Sequence, residues 1–151
     1  MAGRAASALA LAALLAGCVP PEPADPDAPY RTYRGNLVLP DPSVPGQFEV
    51  FPIAGDAGRD YWCAAAKFAE RRLNVLPNRR IYVVTPRGPS RTVPGKRSVV
   101  FTVAPDAAVV AAGEAIPAND INMDVARVGR NFRMAHGRQT CRPIYEWPWD
   151  I

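Results

Sequence analysis

Histidine is nearly missing from this chain: His136 is the only one. A zinc site needs several histidine, cysteine or carboxylate ligands drawn together. One histidine and three cysteines, at 18, 63 and 141, supply no such set and no Cys-x-x-Cys redox pair. Any nucleophile–base arrangement would have to use His136, and neither a Gly-x-Ser-x-Gly elbow nor a Cys-His signature surrounds a candidate. Long apolar runs are short here too. The run Ala5 to Ala16, interrupted by Ser7, falls below the roughly 20 residues needed to cross a bilayer core of about 30 Å as a permanent helix. There is no internal repeat. These absences leave no pattern that calls for a metal, a cofactor or a recognisable catalytic constellation.

What is plentiful is proline, 17 in 151 residues, which favours short strands and helices separated by stiff connections. A content of 48% hydrophobic and 21% charged residues is ordinary for one globular domain. The formal charge of +4 and a pI near 9.3 favour anionic neighbours and say nothing about fold.

Met1 to Arg4 gives a short positive start and the following alanines and leucines form an h-region, the pattern of a signal peptide over residues 1–17. Leu15-Ala16-Gly17-Cys18 resembles the lipobox of bacterial lipoproteins, in which small residues precede the cysteine that receives diacylglycerol. The resemblance covers residues 1–18 and implies cleavage before Cys18 and lipidation of its thiol. At about 0.8 kcal/mol per buried methylene, two or three acyl chains would hold the protein on its membrane. Val19, where an aspartate would favour the inner membrane, leans the expectation to the outer membrane, facing the periplasm. Residues 18–29 then read as a lipidated cysteine and a Pro-rich tether, reaching about 30 Å if extended at about 3.1 Å per residue. Residues 30–151 are left as a single exported domain.

With Cys18 acylated, Cys63 and Cys141 remain, and in an oxidising compartment the simplest outcome is one disulfide. Closing a loop of about 80 residues would stabilise by about 4.5 kcal/mol in the chain-entropy model. The alternatives, a redox pair or a metal site, lack the spacing and the ligands.

Apolar spacing predicts an edge strand over 46–53 and an amphipathic helix over 60–74, with Trp62, Ala66, Ala69 and Leu73 on one stripe and Asp56 or Asp60 at its start. β-branched runs at 80–85 and 98–103 predict two strands, each stopped by a proline, with a long hairpin loop between them. Asp106 heads a short alanine-rich helix to Ala115. Beyond it, Ile121, Met123 and Val125 alternate, as do Phe132 and Met134, which predicts two short strands; a helix through Ile121, Val125, Val128 and Phe132 is the competing reading, with Gly129 costing it about 1 kcal/mol. The sum is an α+β fold: a mostly antiparallel sheet, one main amphipathic helix and one disulfide. Tyr61-Trp62-Cys63-Ala64-Ala65, Arg80-Ile81-Tyr82-Val83 and Arg97-Ser98-Val99-Val100-Phe101-Thr102 are similar to patterns in small exported proteins of alphaproteobacteria, a resemblance that implies an exported domain and no catalytic residue.

The clearest functional pointer is charge. Between residues 67 and 97, Lys67, Arg71, Arg72, Arg79, Arg80, Arg87, Arg91, Lys96 and Arg97 stand against Glu70 alone. Arg87, Arg91, Lys96 and Arg97 sit among prolines and glycines in the hairpin loop, where guanidiniums meet phosphate or carboxylate bidentately; a solvated basic face is the competing reading. Near the end, Trp147 and Trp149 could stack on sugars or a partner, or pack back over the sheet. Carboxylate pairs are inevitable among fourteen Asp and Glu, but Asp56 and Asp60 read as helix caps and Asp120 and Asp124 as surface residues. His136 reads as a solvated loop or strand-end histidine. The expectation is a noncatalytic, membrane-anchored envelope lipoprotein that binds an anionic wall or lipid component or a protein partner. An accessory structural subunit of an envelope assembly is the alternative and a wall-modifying hydrolase the third. Nucleic acid is not expected, because the lipobox takes the chain out of the cytoplasm.

Overall fold

In a computed structural model, which describes residues 24–141, the chain forms one six-stranded antiparallel sheet with three helices. Strands β1 (Tyr30–Arg31), β2 (Leu37–Pro40) and β3 (Gln47–Val50) precede helix α1 (Gly58–Arg71). Then come β4 (Arg80–Pro89), β5 (Arg97–Thr102), α2 (Ala107–Glu114), β6 (Asn131–Arg133) and α3 (Met134–Gln139). The spatial order is β1-β2-β3-β5-β4-β6. This is the α+β fold expected, and Cys63 and Cys141 are joined, their Cα atoms 4.8 Å apart.

The core forms where strand alternation meets the helix. Val38 pairs with Val50, Val50 with Val99, and Phe48 with Phe101, so one face of the sheet is a continuous apolar surface. Against it α1 lays Tyr61, Trp62, Ala65, Phe68 and Ala69, all buried; the burial extends well beyond a single stripe. Trp62 is the centre, edge-on to Phe101 at 5.0 Å and to Phe132 at 4.9 Å, geometries favoured by the ring quadrupole. The start of α1 is secured by Asp60 in its first turn, which accepts the Ala57 N–H at 2.9 Å and places a negative charge at the positive end of the helix. Asp56 instead accepts the N–H of Ile53 and the amide of Asn36, fixing the approach to the helix. Asn74, in the left-handed region at φ 51°, turns the chain out of the helix, and Val75 donates back to the Ala69 carbonyl.

Three local expectations are corrected. β4 does not stop at Pro86 but runs to Pro89, because register shifts between Val83 and Thr85 and between Thr85 and Gly88 place Pro86 in a bulge that demands no ladder N–H. The hairpin loop shrinks accordingly to Ser90–Lys96, closed by Ser90 N–H to Lys96 O at 2.8 Å.

The segment 121–126 is neither strand nor helix. Asp120, Asn122 and Asp124 each accept the backbone N–H two residues on, at 3.1, 3.1 and 2.9 Å. These side chains satisfy the backbone that a neighbouring strand would otherwise pair, so the alternation of Ile121, Met123 and Val125 is real while the ladder is missing. Only Asn131–Arg133 forms a strand, on β4, while Val125 lends a single carbonyl to the Arg87 N–H at 3.1 Å.

Met134 opens α3 rather than continuing a strand. Gly137 allows the close crossing of α1: a Cβ there would meet Ala66 Cβ at 2.9 Å and the Trp62 carbonyl oxygen at 3.0 Å. Thr140 Oγ1 then donates to the Arg59 carbonyl at 2.9 Å, and the disulfide follows at once.

Candidate functional site: the basic hairpin

Glu49 points away from the aromatic core, between Phe48 and Val50, yet is only 4% exposed. The β4–β5 hairpin folds over it. Its carboxylate accepts the Arg91 N–H at 2.9 Å and the hydroxyls of Thr92 and Ser98. Burial by itself would raise the Glu49 pKa, but the donors of Ser98, Thr92, Arg91 and Ser90 together outweigh it and hold the carboxyl below its ordinary range. Ser90 Oγ closes the turn from the other side by accepting the N–H groups of Thr92 and Val93. A proline-rich loop thus becomes a fixed platform.

Arg87, Arg91, Lys96 and Arg97 are all exposed on this hairpin. The structure divides the three arginines between the two faces of the sheet. Arg91 turns back to donate to Thr85 Oγ1 at 2.6 Å, beside Glu49 and Val100. Arg87 lies on the helix side, its guanidinium 5.7 Å from the centre of the Tyr61 ring. Arg97 faces Pro89 in the ladder, two residues beyond Arg87, and its charge also acts on the Tyr61 phenol. Tyr61 is 1% exposed, and its hydroxyl meets no hydrogen-bond partner among the described residues. Burial raises the pKa of this phenol, against the opposing charges of Arg87 and Arg97, so the hydroxyl remains a proton donor at neutral pH.

Elsewhere five arginines are answered by acids, while Arg31, Arg59, Arg72, Arg79, Arg80 and Arg133 make no ion pair among the described residues. Arg34 bonds Asp60 at 2.7 Å and Asp56 at 3.3 Å. Arg138 and Arg71 share Glu70. Arg130 is 1% exposed and is held by Asp120 at 2.9 Å and Asp124 at 3.0 Å, which gives those two acids an internal task in place of the surface role expected of them. Its donation, above all, keeps the Asp120 carboxyl below the usual range. Among the described residues no carboxylate pairs with Arg87, Arg91, Lys96 or Arg97.

His136 lies in α3, not in a loop or at a strand end, stacked on Phe132 at 5.0 Å. It borders two open grooves, of about 770 and 600 Å³, that meet at Ile121; the second also carries Arg80, Tyr82 and Glu114. Among the described residues no three His, Cys, Asp or Glu side chains gather as metal ligands, and no helix is long and apolar enough to cross a membrane. Cys18, Trp147 and Trp149 lie outside the described residues.

Reading the sequence missed Glu49, Tyr61 and Arg130. Glu49 left a signal, a lone acid between two apolar strand residues facing a loop rich in Ser and Thr. Tyr61 and Arg130 left none, since their roles depend on which segments fold against them. Comparison with protein-family models, with curated proteins and with solved structures finds no match to this chain.

Proposed function

We propose that this chain is a lipid-anchored envelope protein, acylated at Cys18, that uses the basic hairpin to bind an anionic envelope component without catalysing a reaction. The observation that carries the reading is the gathering of four exposed cations without an ion pair on one braced hairpin. Arg34, Arg71, Arg127, Arg130 and Arg138 meet carboxylates, whereas Arg87, Arg91, Lys96 and Arg97 stand exposed and without an ion pair among the described residues, gathered on one hairpin whose loop is fixed from beneath by buried Glu49. A backbone fixed in advance lowers the ordering cost of recognition, and guanidiniums without an ion pair keep donors for an outside partner. Phosphate groups of lipopolysaccharide and carboxylates of peptidoglycan are the partners of matching chemistry in that compartment.

The test is sedimentation of the purified protein with isolated peptidoglycan sacculi and, separately, with lipopolysaccharide vesicles across a salt series. Binding that weakens with salt and is lost on replacing Arg87, Arg91 and Arg97 by glutamine is expected. Absence of binding to either material sinks the reading.

A role as an accessory subunit of an envelope assembly is the second reading, favoured by Ile121, 77% exposed where the two grooves meet. On that reading, complex formation survives the triple arginine replacement and fails with Ile121→Asp.

A further inference from the structure

We propose that Tyr61, Arg87 and Arg97 form a seat for a phosphomonoester dianion on the helix side of the hairpin. The inference deepens the reading of the hairpin as an anion-binding surface and rests on it.

Three observations converge. The first is the Tyr61 hydroxyl, a neutral donor inside the fold with no hydrogen-bond partner among the described residues. A buried polar group left unmet costs stability, and such groups are uncommon enough to require an explanation. The second is the exposed Arg87 guanidinium over the same ring, with no ion pair among the described residues. An exposed side chain of this kind changes rotamer in nanoseconds or less, so Arg87 covers the phenol without sealing it. The third is Arg97. It pairs with Pro89, two residues beyond Arg87 on the adjacent strand, and its charge also reaches the phenol. The acid within range is Asp56, and Arg34 already holds it at 3.3 Å.

Charge and donor count select the ligand. Two unpaired guanidiniums match a dianion better than the single charge of a carboxylate. Two forked donors plus one O–H suit the three terminal oxygens of a phosphomonoester better than the two free oxygens of a phosphodiester. Arg91 lies on the opposite face with Thr85 and contributes general attraction only.

The experiment uses the purified protein, inorganic phosphate as the soluble probe, and vesicles containing phosphatidic acid, a phosphomonoester lipid, or phosphatidylglycerol, a phosphodiester. Phosphate is expected to raise the melting temperature of the parent protein, more strongly as pH rises through about 7 and the second proton leaves inorganic phosphate; a phosphomonoester reaches the dianion about one pH unit lower. Tyr61→Phe keeps the ring packing, so without phosphate this variant should melt no lower than the parent, while its phosphate affinity falls about tenfold or more. Arg87→Gln and Arg97→Gln should each lose at least as much, and Arg133→Gln, an equal charge change on β6, should lose little. Preference for phosphatidic acid over phosphatidylglycerol identifies a lipid headgroup as a ligand; phosphate binding with no such preference identifies a soluble phosphomonoester.

Parent-like phosphate affinity in Tyr61→Phe overturns the seat, even where the triple arginine replacement still abolishes sedimentation with envelope material; the hairpin then acts by diffuse charge alone. Equal losses in Arg133→Gln and Arg87→Gln overturn it as well. Absence of sedimentation combined with Tyr61-dependent phosphate binding separates the two ideas in the other direction.

Discussion

Glu49 is the residue on which the hairpin turns. Its folded pKa is depressed, so the stabilisation it supplies is complete above the ordinary glutamate value near 4.5 and is lost as pH falls through the lower folded value. Melting temperature should therefore drop on acidification below about pH 4.5, and Glu49→Gln should flatten part of that drop. At pH 7 the same substitution replaces one acceptor oxygen by an NH2 group facing Arg91 N–H, Thr92 and Ser98. The expected cost is about 1–3 kcal/mol, measured by denaturant unfolding. Hydrogen exchange at residues 90–97 should rise in the variant, since the loop is tied down through this carboxylate. Unchanged exchange there would mean the loop is held by its own turns. Asp41, held low chiefly by the Ser43 hydroxyl, and Asp120, held low by Arg130, account for part of the acid slope that remains.

At the scale of elements, a glycine decides how α2 meets the turn before β6. Gly129 sits at φ +80°, and a Cβ there would lie 2.3 Å from the Gly113 nitrogen in α2. Gly129→Ala should cost about 2–4 kcal/mol by combined backbone strain and overpacking. Gly95, at φ +75° in the hairpin loop with nothing within 4 Å, should lose only about 1–2 kcal/mol on the same change. Thermal melts of the two variants compare them directly; equal losses would show that the approach of α2 to the Gly129 turn contributes nothing.

Elements whose hydrophobic period is met by burial were legible in advance. The helix from Trp62, the strands around Val83 and Val99, and the short helix behind Asp106 all follow from local pattern. The segment 121–125 misled because alternation reports which side chains turn inward, not whether a neighbouring strand accepts the backbone; Asp120, Asn122 and Asp124 took those hydrogen bonds instead. Met134 misled in the same way, since a glycine three residues later decides that the chain coils against α1. At the candidate site, the basic residues were visible as a run along the sequence. Their division between two faces was not, because it depends on a bulge at Pro86 and a buried carboxylate some 40 residues earlier.

For the molecule as a whole, the Cys63–Cys141 bond ties α1 to the end of the described chain. Its loss by reduction, or in a Cys63→Ala, Cys141→Ala double variant, should lower stability by about 2–4.5 kcal/mol. The measurement is the unfolding midpoint in urea with and without reductant. A midpoint unmoved by reductant would mean that the packing of Gly137 on α1 and the Thr140 bond to Arg59 carry that junction alone.

The lead-in to the sheet touches one end of α1, where Arg72 donates to the Asp25 carbonyl at 3.2 Å and lies 5.5 Å from the centre of the Tyr30 ring. Tyr61 and the arginines above it sit toward the other end, about 16 Å away along the helix. In a chain fastened through its N-terminus, as proposed, Arg87 and Arg97 would lie toward the end of this helix remote from the entry of the chain, free of the segment that leads to the anchor.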